Sequence, residues 1–363
     1  MSRNYYVFNP GRLSRKDNTL IFRKYGEIEN DAGLDDFQKM FDEEPAFYQL
    51  DAEIEYQESN ERKVIPIEDV ESLYIFGEID FNRKFFNFCA TKSLPVHIFN
   101  YFGFYSGTFY PREFLNSGDL LVQQVVHQQN HPFRLALAKL LVQGAAGNIV
   151  KNLQYYNTRG KDCSPFLEQI NKLQEAIDKT EMVAELMGIE GNIRQAYYRA
   201  WPLLIDQELE FAKRVRRPPD NEINALIGFA NNMVYTTVLA EIYKTQLSPL
   251  ISFLHEPAAR RFSLALDIAE IFKPLLADKI IFSLLNRKQL TGSHFTRKGN
   301  VCWLSESGRK IFVRAFDEKL SATIKHRKLG RNVSYRRLIR LECYKLIKHL
   351  LGQKNYKPFI IWW

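Results

Sequence analysis

Few cysteines and the lack of a long apolar run restrict the class of protein that this sequence can encode. Its 363 residues include four cysteines, which are scattered singly with no CxxC pair. Neither a disulfide framework nor a structural zinc site is therefore expected, and the four thiols are predicted to be inert. No uninterrupted apolar stretch reaches the roughly 18 residues of a membrane-spanning helix, and residues 1–22 lack the apolar centre of a signal peptide. We expect a cytoplasmic protein that makes no membrane contacts.

The common signatures of nucleotide and serine chemistry are also missing. The sequence contains no GxGxxG that opens a helix, no GxxxxGKS or GxxxxGKT phosphate loop, no HExxH and no GxSxG. Nucleotide hydrolysis and serine hydrolysis therefore lose support. Catalytic groups have to be sought among separate carboxylates and histidines.

The composition is that of a folded protein with an uneven distribution of charge. With 45% hydrophobic and 13% aromatic residues the chain can bury a core, and its length favours two domains. Lys and Arg number 50 against 42 Asp and Glu, so the net charge of +8 says less than the placement of the charges. Residues 27–61 are rich in Asp and Glu, which is typical of a solvated insertion between strands.

Two kinds of periodicity divide the chain near Tyr110-Pro111. Before this point, short β-branched and aromatic runs predict strands, at 5–8, 20–22, 64–67, 73–76 and 96–99. Beyond it, apolar residues recur at helical spacing, and Pro218-Pro219 marks a loop. We therefore predict an α+β protein, with a β-rich, sandwich-like domain over residues 1–100 and a larger all-α domain over 111–363.

Four polar residues in the second half could carry chemistry, and each has a structural alternative. Glu190 lies between two glycines that would allow close backbone approach, but a glutamate in a first helical turn is also favoured by the helix dipole. His255 could equally cap a helix C-terminus, where a cationic imidazole is stabilised. Asp267 and Glu270 lie on one flank of an apolar helical stripe, at the edge of the core.

Carboxylates and an imidazole together are a suitable ligand set for Mg²⁺ or Mn²⁺. Such an ion would neutralise charge on a phosphodiester and lower the pKa of an attacking hydroxyl. Spacing alone does not show that residues so far apart converge, so the metal site and the structural alternatives both stay open.

Positive charge is concentrated in two segments, Lys213–Arg217 and Lys325–Arg340. Arg and Lys bind phosphate oxygens through charge-assisted hydrogen bonds, and counterion release adds affinity. A single basic helix face is more often only solvated. Two basic segments beside a candidate metal site favour a polyanionic partner, and the acidic segment 27–61 would repel one.

Several short motifs follow one another along nearly the whole chain. They are Gly11–Leu20, Tyr105–Pro111, Gly188-Ile189-Glu190-Gly191, Arg216-Arg217-Pro218-Pro219 with Asn224, His255-Glu256, and Leu266–Glu270 with Lys273-Pro274. In this order they resemble the CRISPR-associated integrase, the metal-dependent endonuclease family that inserts new spacers into CRISPR arrays.

The resemblance implies a role for each domain. The β-rich domain would carry the contacts of a homodimer, and the helical domain would hold Mg²⁺ or Mn²⁺ through Glu190, His255 and Glu270. Asp267, one turn earlier, would be an accessory acid. Many members of the family have Asp where this chain has Glu270, so the division of labour between Asp267 and Glu270 stays open. The acidic segment 27–61 has no counterpart in the family pattern.

The resemblance also implies a reaction and its partners. A 3′ hydroxyl of incoming DNA would attack a phosphodiester in the repeat, and a small companion subunit would bridge two dimers. The residues expected to contact DNA are Arg216, Arg217, Asn224, Lys325, Arg327, Arg336 and Arg340. Contacts of this kind position a DNA backbone and carry little sequence information.

Two alternatives belong to other functional classes. A non-catalytic nucleic-acid-binding scaffold of the same fold would be expected to have lost at least one of Glu190, His255 and Glu270, and all three are present. A structural helical protein with incidental basic faces would show no salt-dependent DNA binding.

Overall fold

The described residues of the amino-terminal part form eight strands and one helix. The computed structural model describes residues 3–26, 58–216, 218–257 and 262–362, so most of the acidic segment 27–61 lies outside the described residues. The strands are β1 Arg3–Val7, β2 Gly11–Lys16, β3 Thr19–Tyr25, β4 Glu58–Pro66, β5 Val70–Ile75, β6 Ile79–Phe81, β7 Val96–Phe99 and β8 Tyr105–Phe109. Helix α1, Arg83–Thr91, precedes β7.

These strands form two four-stranded sheets. The first has the order β1-β5-β7-β8, with β1, β5 and β7 parallel and β8 antiparallel to β7. The second has the order β4-β3-β2-β6. Its β2–β3 hairpin turns at Asp17-Asn18, where Asp17 adopts a φ of 53°. Asp tolerates this left-handed conformation because its side chain can bond the local backbone.

The first sheet is buried on both of its faces. Successive strand residues point to opposite sides, so Leu73 and Ile75 of β5 join a core with Leu13 and Leu20 of the second sheet. Tyr74, between them, joins the core of the helical part. The predicted sandwich-like packing is thereby extended by a third, helical layer.

The rest of the chain is mostly helical, as predicted. Its helices are α2 Gly118–Gln129, α3 His131–Asn157, α4 Ser164–Ile177, α5 Val183–Leu204, α6 Glu222–Tyr243, α7 Ser263–Lys273, α8 Lys279–Asn286, α9 Glu306–Ser321 and α10 Tyr335–Leu350. A π-helical turn, Pro274–Asp278, joins α7 to α8.

The prediction that this part is all-α is wrong in detail. Two short hairpins interrupt the helices, one from β9 Phe295–Lys298 and β10 Val301–Leu304, the other from β11 Thr323–Lys325 and β12 Asn332–Ser334. Strands of three or four residues are too short to show a period of two. Helix α1 was missed for a similar reason, because its nine residues span little more than two turns.

Helix α6 is the centre of the helical part. Nearly all its residues are buried, as expected for a helix that is apolar all round. Tyr74 of the first sheet contacts it through a 3.3 Å hydrogen bond to Thr237, and the Phe76 ring lies 5.8 Å from that of Phe229. α7, α10 and β10 also pack on α6.

Helix α3 receives the carboxy-terminal tail. A Cβ on Gly144 would come within 2.6 Å of Pro358, and one on Gly147 within 2.8 Å of Ile360. Asn148 then donates to the Phe359 carbonyl and accepts from the Ile361 amide, both at 2.9 Å. The apolar tail therefore packs within the protein.

Helix α3 is also long and apolar enough, by length and composition, to cross a membrane. However, 61% of its most apolar window is buried inside the protein. This is the pattern of a core helix. The four cysteines are likewise buried and free, which confirms the prediction of unpaired thiols.

His97 of β7 is a buried, neutral histidine in this arrangement. Its Nδ1 lies 2.8 Å from Thr108 Oγ1, and its ring lies 4.8 Å from that of Tyr74. Burial, with a smaller contribution from the charge of Lys244, lowers the pKa of His97 to about 3. The ordinary value in an unfolded chain is about 6.5.

We therefore predict that His97 makes the protein sensitive to acid. Below about pH 6.5 the unfolded chain binds a proton that the folded protein excludes, so this contribution to stability is present above that pH and is lost as the pH falls towards 3. The slope is about 1.4 kcal/mol per pH unit. The free energy of unfolding, measured in urea between pH 5 and 7, should change less steeply with pH in His97→Gln than in the wild type. Exposed His131→Gln is the control, and equal slopes in all three proteins would contradict the prediction.

Candidate active site

Glu190 and Glu270 are brought together by helices α5 and α7. Glu190 lies two turns into α5, so the alternative of a first-turn glutamate is wrong. One turn later, Arg194 donates from Nε to Glu190 Oε1 at 3.0 Å and from Nη2 to Glu270 Oε2. The guanidinium thus bridges a carboxylate of its own helix and one of α7.

Glu270 is held by two cations. Lys273, one turn further along α7, bonds its second oxygen. Burial by itself would raise the pKa of Glu270, but Arg194 and Lys273 outweigh it and keep the pKa well below its usual range. The carboxylate is therefore ionised at every pH at which the protein would be assayed.

Asp267 has a different role, because the chain itself uses both of its oxygens. It is fully buried and accepts from the backbone amides of Phe253, Leu254 and His255 at 2.7, 3.0 and 2.9 Å. It also lies 2.8 Å from His255 Nδ1. A carboxylate bonded in this way sets the orientation of an imidazole and directs its Nε2 outward.

His255 does not cap a helix. It lies in the segment that follows α6, which ends at Tyr243, so the capping alternative is wrong. Burial would lower the pKa of His255, but the hydrogen bond and charge of Asp267, together with the charge of Glu270, raise it. Asp267 therefore acts as a positioning residue, which favours Glu270 over Asp267 as a direct ligand.

The expected ligands do not form a closed set in this arrangement. Within residues 3–26, 58–216, 218–257 and 262–362, no group of three or more His, Cys, Asp and Glu side chains could hold a metal ion. Instead the structure has the bridge Glu190–Arg194–Glu270 and the pair His255–Asp267. The donor types, two carboxylates and an imidazole, still fit Mg²⁺ or Mn²⁺. The two carboxylates also lie close enough together to share one cationic partner, Arg194.

Sequence reasoning missed Arg194 and Asp278. Arg194 could have been found, because residues four apart on a helix are neighbours and a Glu–Arg pair at that spacing is favourable. Asp278 closes the π-helical turn and is 1% exposed, and burial raises its pKa to about 7. Pro274 in the helical pattern was the one signal for an irregularity there.

The first basic segment is close to this site but is partly used for structure. Burial raises the pKa of Tyr198, and the charges of Arg194 and Arg214 both lower it, so the two arginines lie near the same ring. Asn224 is fully buried and holds the segment through Arg214, the Val215 amide and the Lys213 carbonyl. The prediction that Asn224 contacts DNA does not fit this burial. Arg216 is exposed, and Arg217 lies outside the described residues.

The second basic segment divides in the same way. Lys325 and Arg327 are exposed. By contrast, Arg336 pairs with Asp317 at 3.3 Å, and Arg340 pairs with Glu241 at 2.6 Å. Both side chains, which were predicted to contact DNA, are thus paired with carboxylates that tie α10 to its neighbours.

Comparisons with known proteins agree with the fold and with the family resemblance. A sequence model of the family described as CRISPR associated protein Cas1 matches residues 47–318. The chain is 46% identical to the CRISPR-associated endonuclease Cas1 of Fusobacterium nucleatum subsp. nucleatum over 363 residues, which is 100% of this chain and 98% of the relative. A solved Cas1 protein from Thermotoga maritima is 36% identical, with a TM-score of 0.81 and coverage of 98% of this chain and 99% of that one.

Two more distant structures share the fold alone. One is a casposase bound to integration product, with a TM-score of 0.81, 18% identity and coverage of 99% of this chain and 93% of that one. The other is a chain of a Cas6-RT-Cas1–Cas2 complex, with a TM-score of 0.77 and 16% identity, covering 100% of this chain and 36% of that one. The predicted α+β class is confirmed by these likenesses.

We predict that Asp267 determines the protonation of His255. In Asp267→Asn the imidazolium loses its charged acceptor, so the pKa of His255 should fall. An NMR titration of the ring in metal-stripped protein measures this. Glu256→Gln is the matched control, because Glu256 is adjacent in sequence but pairs with Arg134 at 2.6 Å. An unchanged His255 pKa in Asp267→Asn would contradict the assigned role.

Proposed function

The chain belongs to the CRISPR-associated Cas1 family, and we propose that it is a divalent-metal-dependent DNA endonuclease and integrase that inserts DNA fragments into a CRISPR array. The observation that carries the proposal is the meeting of Glu190 and Glu270 across α5 and α7, beside a histidine that Asp267 orients. Relatives of the chain carry the name CRISPR-associated endonuclease.

Glu190, His255 and Glu270 would hold the ion, Mg²⁺ or Mn²⁺. Such an ion supplies charge neutralisation at a phosphodiester and lowers the pKa of an attacking hydroxyl. The residues of the chain do the rest: Asp267 fixes the imidazole, and Arg194 and Lys273 keep Glu270 ionised. No protein nucleophile is needed if a DNA 3′ hydroxyl attacks.

Two glycines beside Glu190 leave part of the surface of α5 without packing neighbours. Gly188 and Gly191 are exposed inside a helix, and a Cβ at either would meet no atom within 4 Å. Glycine in a helix interior costs about 0.5–1 kcal/mol relative to alanine, and packing does not explain it here. We attribute the two glycines to the close approach of a substrate to this part of α5.

DNA phosphates would be held by the exposed members of the two basic segments. Among the predicted contacts these are Arg216, Lys325 and Arg327, and Lys213, Lys328 and Arg331 of the same segments are exposed as well. Arg217, which lies outside the described residues, is a further candidate. Arg327 also lies 5.2 Å from the ring centroid of Trp362, so its guanidinium is supported by the packed tail.

The partners follow from the family. We infer a homodimer formed through the β-rich domain, and a small companion subunit that joins two dimers. The solved Cas6-RT-Cas1–Cas2 complex, one of whose chains shares this fold, supports the companion subunit.

We predict that Glu190→Gln and Glu270→Gln lower Mn²⁺-dependent DNA cleavage and strand transfer by about two orders of magnitude or more, since each removes a charged ligand. Exposed Glu175→Gln on α4 is the control. DNA binding by the two site variants should persist. Full activity of folded Glu190→Gln would contradict the site. A wild type that binds DNA but neither binds Mn²⁺ nor cuts would instead support a non-catalytic scaffold.

We also predict that Lys325 and Arg327 contact phosphates, whereas Arg336 and Arg340 act on stability. Lys325→Gln with Arg327→Gln should weaken DNA binding regardless of sequence and lower the salt-dependence slope by about two. Lys16→Gln with Lys63→Gln, two exposed positions of the β-rich domain, is the control of equal charge change. Arg340→Gln should lower the unfolding temperature, because the buried carboxylate of Glu241 loses its arginine partner. Equal slopes in both double variants would contradict the prediction.

A further inference from the structure

Arg194 already occupies the position between the two carboxylates that a metal ion would use. Its guanidinium reaches Glu190 at 3.0 Å and also bonds Glu270. The side chain is 12% exposed. Burial would lower the pKa of Arg194, but Glu270 and its other neighbours raise it well above the ordinary value. The positive charge is therefore permanent.

The charges of this cluster are already balanced. Arg194 and Lys273 carry two positive charges, and Glu190 and Glu270 carry two negative ones. A divalent cation bound to the same carboxylates would leave the buried cluster with an excess of two positive charges. Like charges at such distances in a poorly solvated site repel strongly. Arg194 and a metal ion therefore compete for Glu190 and Glu270.

A second acceptor for the guanidinium lies nearby. Asp278 is 1% exposed and has a side-chain hydrogen bond with Tyr197, three residues beyond Arg194 on α5, but its Oδ2 has no hydrogen-bond partner among the described residues. The charge of Arg194 lowers the pKa of Asp278 against the effect of burial, so the two groups are within electrostatic reach. An unpartnered buried carboxylate oxygen costs free energy, and a state of the protein in which a donor reaches it would remove that cost.

We propose that Arg194 is a displaceable counter-cation: it neutralises Glu190 and Glu270 until a divalent metal ion binds them, and its guanidinium then moves to Asp278. This inference rests on the proposed function, since it requires the metal site. Arg194 is a positioning residue in this scheme, and it sets the affinity and selectivity of the site for cations. The π-helical turn places Asp278 where α7 and α8 meet, as such turns often do at functional sites.

The test is direct Mn²⁺ binding to metal-stripped protein, followed by the electron paramagnetic resonance signal of free Mn²⁺ and by calorimetry. Arg194→Met removes the competitor and should bind Mn²⁺ about tenfold more tightly than the wild type, or better. Arg199→Met is the matched control, because Arg199 lies on the same helix but is exposed and bonds Gln169. It should bind Mn²⁺ as the wild type does.

Asp278→Asn should weaken Mn²⁺ binding, because the displaced guanidinium loses its acceptor. In an Arg194→Met background the same change should have no effect, since no guanidinium remains to be placed. If Arg194→Met does not fold, Arg194→Lys replaces it. A lysine is a single point charge that cannot bridge both carboxylates, so it should also bind Mn²⁺ more tightly than the wild type.

Weaker or unchanged Mn²⁺ binding in folded Arg194→Met or Arg194→Lys overturns the inference, provided that wild-type binding is lost in Glu190→Gln. That result would leave the proposed function intact. If Mn²⁺ binding by the wild type is absent, or is the same in Glu190→Gln, the proposed metal site itself fails. The two failures are therefore distinguishable.

Discussion

Burial of helix α6 on all sides is the constraint on which the rest of the structure depends. A helix that is apolar around its circumference has to be covered completely, and here the first sheet, α7, α10 and β10 cover it. The sheet is consequently buried on both faces, which joins the β-rich and helical parts into one packed body. α7 is held between α6 and α3, and it carries Asp267 and Glu270. The position of the candidate site thus follows from covering one helix.

Several of the charges buried around this core are compensated by a neighbour of opposite sign, and this limits which charged residues remain for function. Arg340 and Lys244 meet Glu71 and Glu241 where the sheet, α6 and α10 join. Arg194 and Lys273 meet Glu270 in the same manner. An unpaired buried charge would be far more costly than a paired one. A basic residue that forms an ion pair with a buried carboxylate is therefore a weaker candidate for DNA contact than one that forms none.

Much of the fold could be predicted from local patterns. The five strand runs and the change to helical spacing near Tyr110-Pro111 are found where the sequence pattern places them. Short runs of β-branched and aromatic residues mark buried strands, and an apolar period of 3.6 marks helices with one buried face. The short elements could not be predicted. α1 and the two small hairpins are held by tertiary packing, and their few residues carry no periodic signal.

The α+β class, the family and the candidate residues Glu190, His255, Asp267 and Glu270 could all be predicted from the sequence. These depend on residue types, periodicity and motif order, which are local properties. The tertiary structure sets the contacts that each of these residues makes. Asp267 bonds the His255 imidazole and three backbone amides, Arg194 lies between Glu190 and Glu270, and Asp278 is buried nearby. Such assignments depend on distances between separate helices, and one-dimensional spacing does not contain them.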